Sequence, residues 1–166
     1  MEVRIIAAVD EDGGIGKDGK LPWGRMRADM KRFKELTTGH AVVMGRKTFE
    51  SMSLKALPGR RNYVITSRPH ADLGDLRFVA SFDAAMARAA AEGEEKLWAI
   101  GGTAVYEAAL AHANHVYLTL VHHRFACDAF FPKVHLHKWV MVEEYPYRSA
   151  DDDNAEAYTF VEYVPR

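Results

Sequence analysis

Apolar runs of strand length alternate along this chain with stretches whose apolar residues recur every three or four positions. Val3 to Val9, Ala41 to Met44, Asn62 to Thr66 and Lys96 to Ile100 read as strands buried on both faces. Arg77 to Val79, His115 to Val121 and Lys138 to Tyr145 read as further strands. Met26, Met30, Phe33 and Leu36/Thr37 share one face of a helix predicted over about Arg27 to Thr37, closed by Thr38-Gly39. Arg46 to Met52 is a short helix after the strand break at Gly45. Pro58-Gly59 is a turn, and Ser67-Arg68-Pro69 ends the third strand. Ser81 reads as the N-cap of an alanine-rich helix over Phe82 to Ala91, and Gly101-Gly102-Thr103 opens another reaching about Ala111. Tyr158 to Val164 alternates aromatic and smaller residues, as an edge strand does. Strands alternate with helices early and follow one another late. This order predicts an α/β fold with a mostly parallel sheet and an antiparallel C-terminal end.

One stretch breaks the periodicity. Gly14-Ile15-Gly16-Lys17-Asp18-Gly19 runs into Leu21-Pro22-Trp23. The glycines match the dinucleotide fingerprint letter for letter, but that fingerprint must open directly into a helix. Pro22 pushes its neighbour out of helical geometry. A mobile lid with Trp23 as a wall fits better. After the lid, Asp29 sits one turn before Phe33 on the same helix face. An acid on an apolar face is costly unless a partner or ligand meets it. The alternative is an acid serving free amides in the first turn of a helix.

Composition narrows the class. The 166 residues are 48% hydrophobic and 27% charged, with a net charge of −1. There is no basic excess for nucleic acid and no charged tail. The apolar N-terminus is too short for a signal peptide or a membrane span. Cys127 is the lone cysteine, so no intrachain disulfide forms, which fits a reducing cytoplasm. His122-His123 and His135-x-His137 lack further ligands at metal spacing, so we expect surface histidines and no metal.

Two basic-hydroxyl sets end neighbouring strands: Gly45-Arg46-Lys47-Thr48 and Thr66-Ser67-Arg68. Each alone is an ordinary helix start or loop. Together they offer more positive charge than a pyrophosphate needs, which points to a third phosphate and hence to NADPH rather than NADH. Ile100-Gly101-Gly102-Thr103 forms a second glycine site where a ligand can approach the backbone, or simply a tight strand-to-helix turn.

Gly14-Ile15-Gly16, Leu21-Pro22-Trp23, Asp29, Phe33 and Thr37, at their spacings, resemble the signature of the dihydrofolate reductase family. The resemblance spans essentially the whole chain. It implies a single domain over residues 1–166, with a central, mostly parallel eight-stranded sheet, an antiparallel C-terminal strand and four flanking helices. It implies NADPH-dependent reduction of 7,8-dihydrofolate to tetrahydrofolate in one-carbon metabolism, by a cytoplasmic monomer that antifolates inhibit. Asp29 would bind the pterin and favour protonation at N5, with Thr119 bonding the acid and Trp23 beside the water that brings the proton. Ile6, Met30, Phe33, Met52, Leu57 and Ile100 would wall the pterin, and Arg60 would grip the α-carboxylate of the glutamate. Arg46, Thr66, Ser67 and Arg68 would hold the 2′-phosphate end, and Lys47 and Thr48 the bridging phosphates. Gly101, Gly102, Thr103, Ala104 and Val105 would cradle the pyrophosphate, with Ala8, Ile15, Gly16, Gly45 and Tyr106 completing the cofactor site. Ala104 stands where many bacterial relatives carry arginine. Asp128 would help hold the lid closed, in a loop where relatives often have glycine at position 127. The rivals are a pterin or pyrimidine reductase of the same fold, as in riboflavin synthesis, and a nucleotide-binding module without catalysis.

Overall fold

The computed structural model describes residues 1–68, 70–133 and 136–166; Pro69 and His135 lie outside the described residues. In chain order the elements are β1 (Glu2–Val9), β2 (Gly14–Gly16), α1 (Arg27–Thr37), β3 (Ala41–Gly45), α2 (Arg46–Ser51), β4 (Arg61–Ile65), β5 (Leu76–Val79), α3 (Phe82–Ala91), β6 (Lys96–Ala99), α4 (Thr103–Leu110), β7 (His115–Val121), β8 (Ala129–Phe130), β9 (Trp139–Glu144) and β10 (Tyr158–Pro165). A short 3-10 turn, Leu136–Lys138, precedes β9.

Eight strands form one sheet in the order β5-β4-β3-β6-β1-β7-β10-β9. The pairs from β5 across to β7 are parallel, and β10 runs antiparallel to both β7 and β9. The predicted layout therefore forms, with two corrections. Tyr158–Pro165 is not an edge strand; β9 lies beyond it and is itself the edge. The alternation in β10 reflects two faces in different surroundings, which an inner antiparallel strand also has. The glycine lid also contains a strand, because β2 pairs with β8 in a separate two-stranded ribbon.

Alternate residues of β1 feed two cores. Val3, Ile5, Ala7 and Val9 join Phe82, Ala85 and Ala89 of α3 and Val105, Tyr106 and Ala109 of α4. Ile6 turns to the other face, where Phe49 of α2 and Phe33 and Leu36 of α1 pack. Ser81 caps α3 by accepting a 3.0 Å bond from the Ala84 N–H.

α1 is capped differently. Its N-cap residue, Met26, offers no side-chain bond. The Ala28 N–H instead donates to Asn154 Oδ1 at 2.9 Å, and the Arg27 N–H to the Asp153 carbonyl at 3.0 Å. The amides that would have justified a first-turn acid are thus partly served from a distant loop. Asp29 is left for other work.

Candidate active site

Asp29 is half-buried on α1, and Thr119 Oγ1 on β7 donates a 2.5 Å hydrogen bond to its Oδ1. Thr119 is 2% exposed and pairs in register with Ala8 on one side and Phe160 on the other. The acid's one hydroxyl partner therefore hangs from an interior strand. Desolvation pushes the Asp29 carboxyl above the usual range, opposed by the Thr119 bond and the nearby Arg32 charge. Such a carboxylate keeps acceptor capacity for a ligand with adjacent N–H groups.

Ile6 packs in the apolar cluster on this side of the sheet, and Phe33, Met52, Leu57 and Ile100 lie against it. Met30 does not join them. It is 64% exposed, at the edge of the α1 stripe that runs through Met26, Asp29, Phe33 and Thr37. The apolar wall is drawn without it. Trp23 is buried against Phe125 (5.8 Å between ring centroids, edge-on) in a cluster with Met26, Val121 and Tyr158.

Arg60 is 6% exposed, with no carboxylate partner among the described residues. Its Nε donates to the Pro58 carbonyl at 2.9 Å and its Nη1 to Thr37 Oγ1 at 2.9 Å. The Phe33 ring lies 5.9 Å from its charge centre, and burial lowers its pKa from the ordinary arginine value. A desolvated guanidinium with spare donors is a receptor for a carboxylate.

The strand ends form the second half of the site. The Gly45 N–H donates to the Gly101 carbonyl at 2.9 Å, drawing the starts of α2 and α4 together. The Gly101–Gly102 bond is cis. Gly102 caps α4 without a side-chain bond, and a Cβ built on it meets nothing within 4 Å. Open space beside uncapped amides fits a pyrophosphate. A Cβ on Gly101 would lie 3.5 Å from both Thr48 Oγ1 and the Tyr106 hydroxyl, so this loop lies close against both side chains. Tyr106 donates to the Ile6 carbonyl at 2.9 Å, and burial raises its pKa. Ala104 is exposed, and the first turn of α4, Thr103 to Tyr106, carries no basic residue to replace the absent arginine. Arg46 Nε is engaged by Glu50 at 3.0 Å, while Lys47, Ser67 and Arg68 are exposed. Thr66 Oγ1 accepts from the Arg68 N–H at 3.2 Å.

The lid is latched from both ends. The Asp128 N–H donates to the Gly16 carbonyl at 3.0 Å, and the Asp18 N–H returns a 3.0 Å bond to Asp128 Oδ2. Thr103 Oγ1 donates to the Phe130 carbonyl at 2.7 Å, tying the ribbon to the start of α4. Asp10 escaped the sequence reading because an acid after a strand looks like a turn residue. It is 4% exposed and accepts from the N–H groups of Asp12, Gly14 and Phe125. Burial works against its charge, but these amides outweigh it and hold the carboxyl below the usual range. Ile15 packs against the core under the lid, and Ala8 beside Trp23. A Cβ on Gly14 would overlap the Cys127 side chain and lie 3.0 Å from Asp10 Oδ1. Gly14→Ala is accordingly expected to cost about 1–3 kcal/mol in thermal unfolding. Adding Cys127→Gly should restore most of that loss; a second substitution that adds to the damage would show that the overlap is not the cause.

Among the described residues, no three histidines, cysteines or carboxylates gather as a metal site. His122 Nε2 lies 2.8 Å from Thr159 Oγ1, and His123 packs on Phe125. No helix of the described residues is long and apolar enough to cross a membrane.

Known proteins align with this chain over nearly its full length. The family model described as dihydrofolate reductase matches residues 2–165. The Bacillus subtilis dihydrofolate reductase is 35% identical over 161 residues, 97% of this chain and 93% of that protein. The type 3 dihydrofolate reductase of Salmonella typhimurium is 38% identical, covering 97% and 96%. Among solved structures, dihydrofolate reductase from Enterococcus faecalis complexed with NADP(H) and RAB-propyl superposes with a TM-score of 0.88 at 33% identity, covering 99% of this chain and 96% of that one. The acid, the glycine cradle and the sheet order thus stand in a chain that belongs to the dihydrofolate reductase family, NADPH-dependent oxidoreductases that reduce 7,8-dihydrofolate to tetrahydrofolate.

Proposed function

We propose that this chain reduces dihydrofolate by clamping the pterin on Asp29, with Thr119 fixing the acid, Arg60 holding the glutamate tail and Trp23 closing the pocket. The observation that carries this reading is the Asp29 carboxylate: raised by desolvation, bonded by one threonine and set beside an apolar wall. Its two oxygens accept the ring N–H and the exocyclic amine of a pterin side by side. Its negative charge then favours a proton at N5, while Ile6, Phe33, Met52, Leu57 and Ile100 exclude bulk water from the ring.

NADPH, when bound, supplies a hydride from C4 of its nicotinamide to C6 of the dihydropterin. The residues assigned to hold it are the α4 start, Gly101 to Val105, for the pyrophosphate, with Lys47 and Thr48 on the bridging phosphates. Arg46, Thr66, Ser67 and Arg68 take the 2′-phosphate end. Ala8, Ile15, Gly16 and Gly45 complete the cofactor site, with Tyr106 beside the nicotinamide. Arg68→Ala should weaken NADPH by roughly tenfold to a hundredfold, as expected for one charge-assisted contact, and leave NADH within about twofold. Titration of both nucleotides checks this, and an equal loss for the two would move the 2′-phosphate elsewhere.

We read residues 1–166 as one domain working as a monomer in the cytosol, with antifolates competing for the pterin cleft; the continuous eight-stranded sheet and the family match over residues 2–165 support the first part. The deciding assay follows loss of NADPH absorbance and asks whether it requires dihydrofolate. Oxidation of NADPH with a ribosylated pyrimidine instead would favour the riboflavin-type rival. Binding without turnover would favour a nucleotide-binding module.

A further inference from the structure

We propose that a cavity on the adjoining face of α1 is a second ligand site, built for a small flat aromatic carboxylate. Ala28, Lys31, Arg32 and Glu35 recur at helical spacing and form a face distinct from the Asp29–Phe33 stripe. Across from that face lie the segment from Tyr145 to Asp151 and the rings of Tyr158 and Phe160 on β10. The space between is about 750 Å³, within the range of small-molecule pockets.

The charges in this cavity are unbalanced in one direction. Its two acids are engaged: Glu35 pairs with Lys31 at 3.9 Å. Asp151 Oδ1 accepts from the N–H groups of Asp153 and Asn154 and from Asn154 Nδ2, at 2.8–3.1 Å. Its two guanidiniums make no hydrogen bond to the chain among the described residues, although Arg32 also feels the charges of Asp29 and Glu162. Arg32 is held by stacking, 4.3 Å above the Phe160 ring and 5.6 Å from the Tyr145 ring. Among the described residues, neither the Arg32 nor the Arg148 side chain donates a hydrogen bond to a protein oxygen. Two planar forks of N–H donors therefore border an aromatic-walled space with no acceptor supplied by the chain. A carboxylate satisfies those donors two at a time, and a flat ring packs against the aromatic side chains that border the space.

The site is separate from the pterin cleft, so it should bind while that cleft is filled. The test is a two-dimensional amide NMR titration of the full chain, saturated with NADPH and an antifolate, using 2-naphthoate as the probe. Saturable shifts are expected at residues 28–35, 145–151 and 158–160, with a dissociation constant below about 1 mM. Arg148→Ala lies outside the catalytic machinery. It should weaken 2-naphthoate at least about tenfold, the loss expected for one charge-assisted bond, without changing dihydrofolate turnover. The neutral amide, 2-naphthamide, should bind wild type at least about tenfold more weakly for the same reason. It provides the same check without a substitution. Absence of saturable shifts up to about 10 mM, shifts confined to other surfaces, or equal affinity for acid and amide would each overturn the proposal.

Discussion

Asp29→Asn is expected to lose roughly a hundredfold or more of kcat at neutral pH while the fold becomes more stable. The loss follows from the role of the negative charge. Asparagine keeps an oxygen for the Thr119 hydroxyl, but it replaces a charged acceptor with an amide that donates, so one pterin N–H faces an N–H. Activity should recover partly in acid, where solvent can protonate the substrate without help. The gain in stability follows from linkage. Desolvation raises the Asp29 carboxyl in the folded state, so the folded chain binds this proton more tightly than the unfolded chain does. The stability supplied by the protonated form is complete below the unfolded carboxylate range and is lost as pH rises through the folded value. Asparagine titrates nowhere, so its advantage should be absent in acid, grow as pH rises through that window and level off above it. Thermal melts between pH 4 and 8, set beside kcat at pH 7, read both effects. Wild-type turnover by the variant would remove Asp29 from the reaction. A lower melting temperature at neutral pH would contradict its desolvation.

Arg60→Ala should raise KM for dihydrofolate by roughly a hundredfold or more and change kcat little, since truncating one partner of a desolvated charge pair costs about 2–5 kcal/mol. The guanidinium is already sheltered, bonded to Pro58 and Thr37, and backed by the Phe33 ring. It is preorganised for its carboxylate, so its removal acts on binding of the tail and not on the distant reacting atoms. A dihydropterin without the glutamate gives the control: the variant and wild type should handle it alike. If the truncated substrate suffers as much as the full one, Arg60 acts through the shape of the pocket. Arg60 lines the same cluster through Phe33, so that outcome would show as a lower kcat on both substrates.

Local pattern exposed most of this architecture. The inward stripe of α1 has a 3.6-residue period, and its bounds were readable to the residue as Arg27–Thr37. Ser81 marked the start of α3 for the same reason, because a capping oxygen acts within one turn. What escaped depends on partners far along the chain. Asn154 caps α1 from 126 residues away, so nothing near Ala28 announces it. Arg32 reads as a solvated helix residue until Phe160 and Tyr145 arrive beneath it. The β2–β8 ribbon is two or three residues long in each strand, too short for any periodicity. Met30 differs in the opposite way: its side chain and its angle both suit the stripe, yet it stands 64% exposed. In the candidate site, the acid and the glycine turns stood out as breaks in pattern. The Thr119 bond to the acid was carried by the resemblance alone, and the Thr37 bond that holds Arg60 became visible only in three dimensions.

The remote cap on α1 bears on how the enzyme is made. Asn154 and β10, the strand beside Thr119, leave the ribosome after the helix and the strand that they complete. A nascent chain halted before them has the lid, the phosphate cradle and the helix bearing Asp29. It lacks the loop that fixes the start of that helix and the neighbour that completes β7. Newly synthesised molecules should therefore acquire folate binding in one step, once Asn154 and β10 have been made, with no partly competent precursor before it.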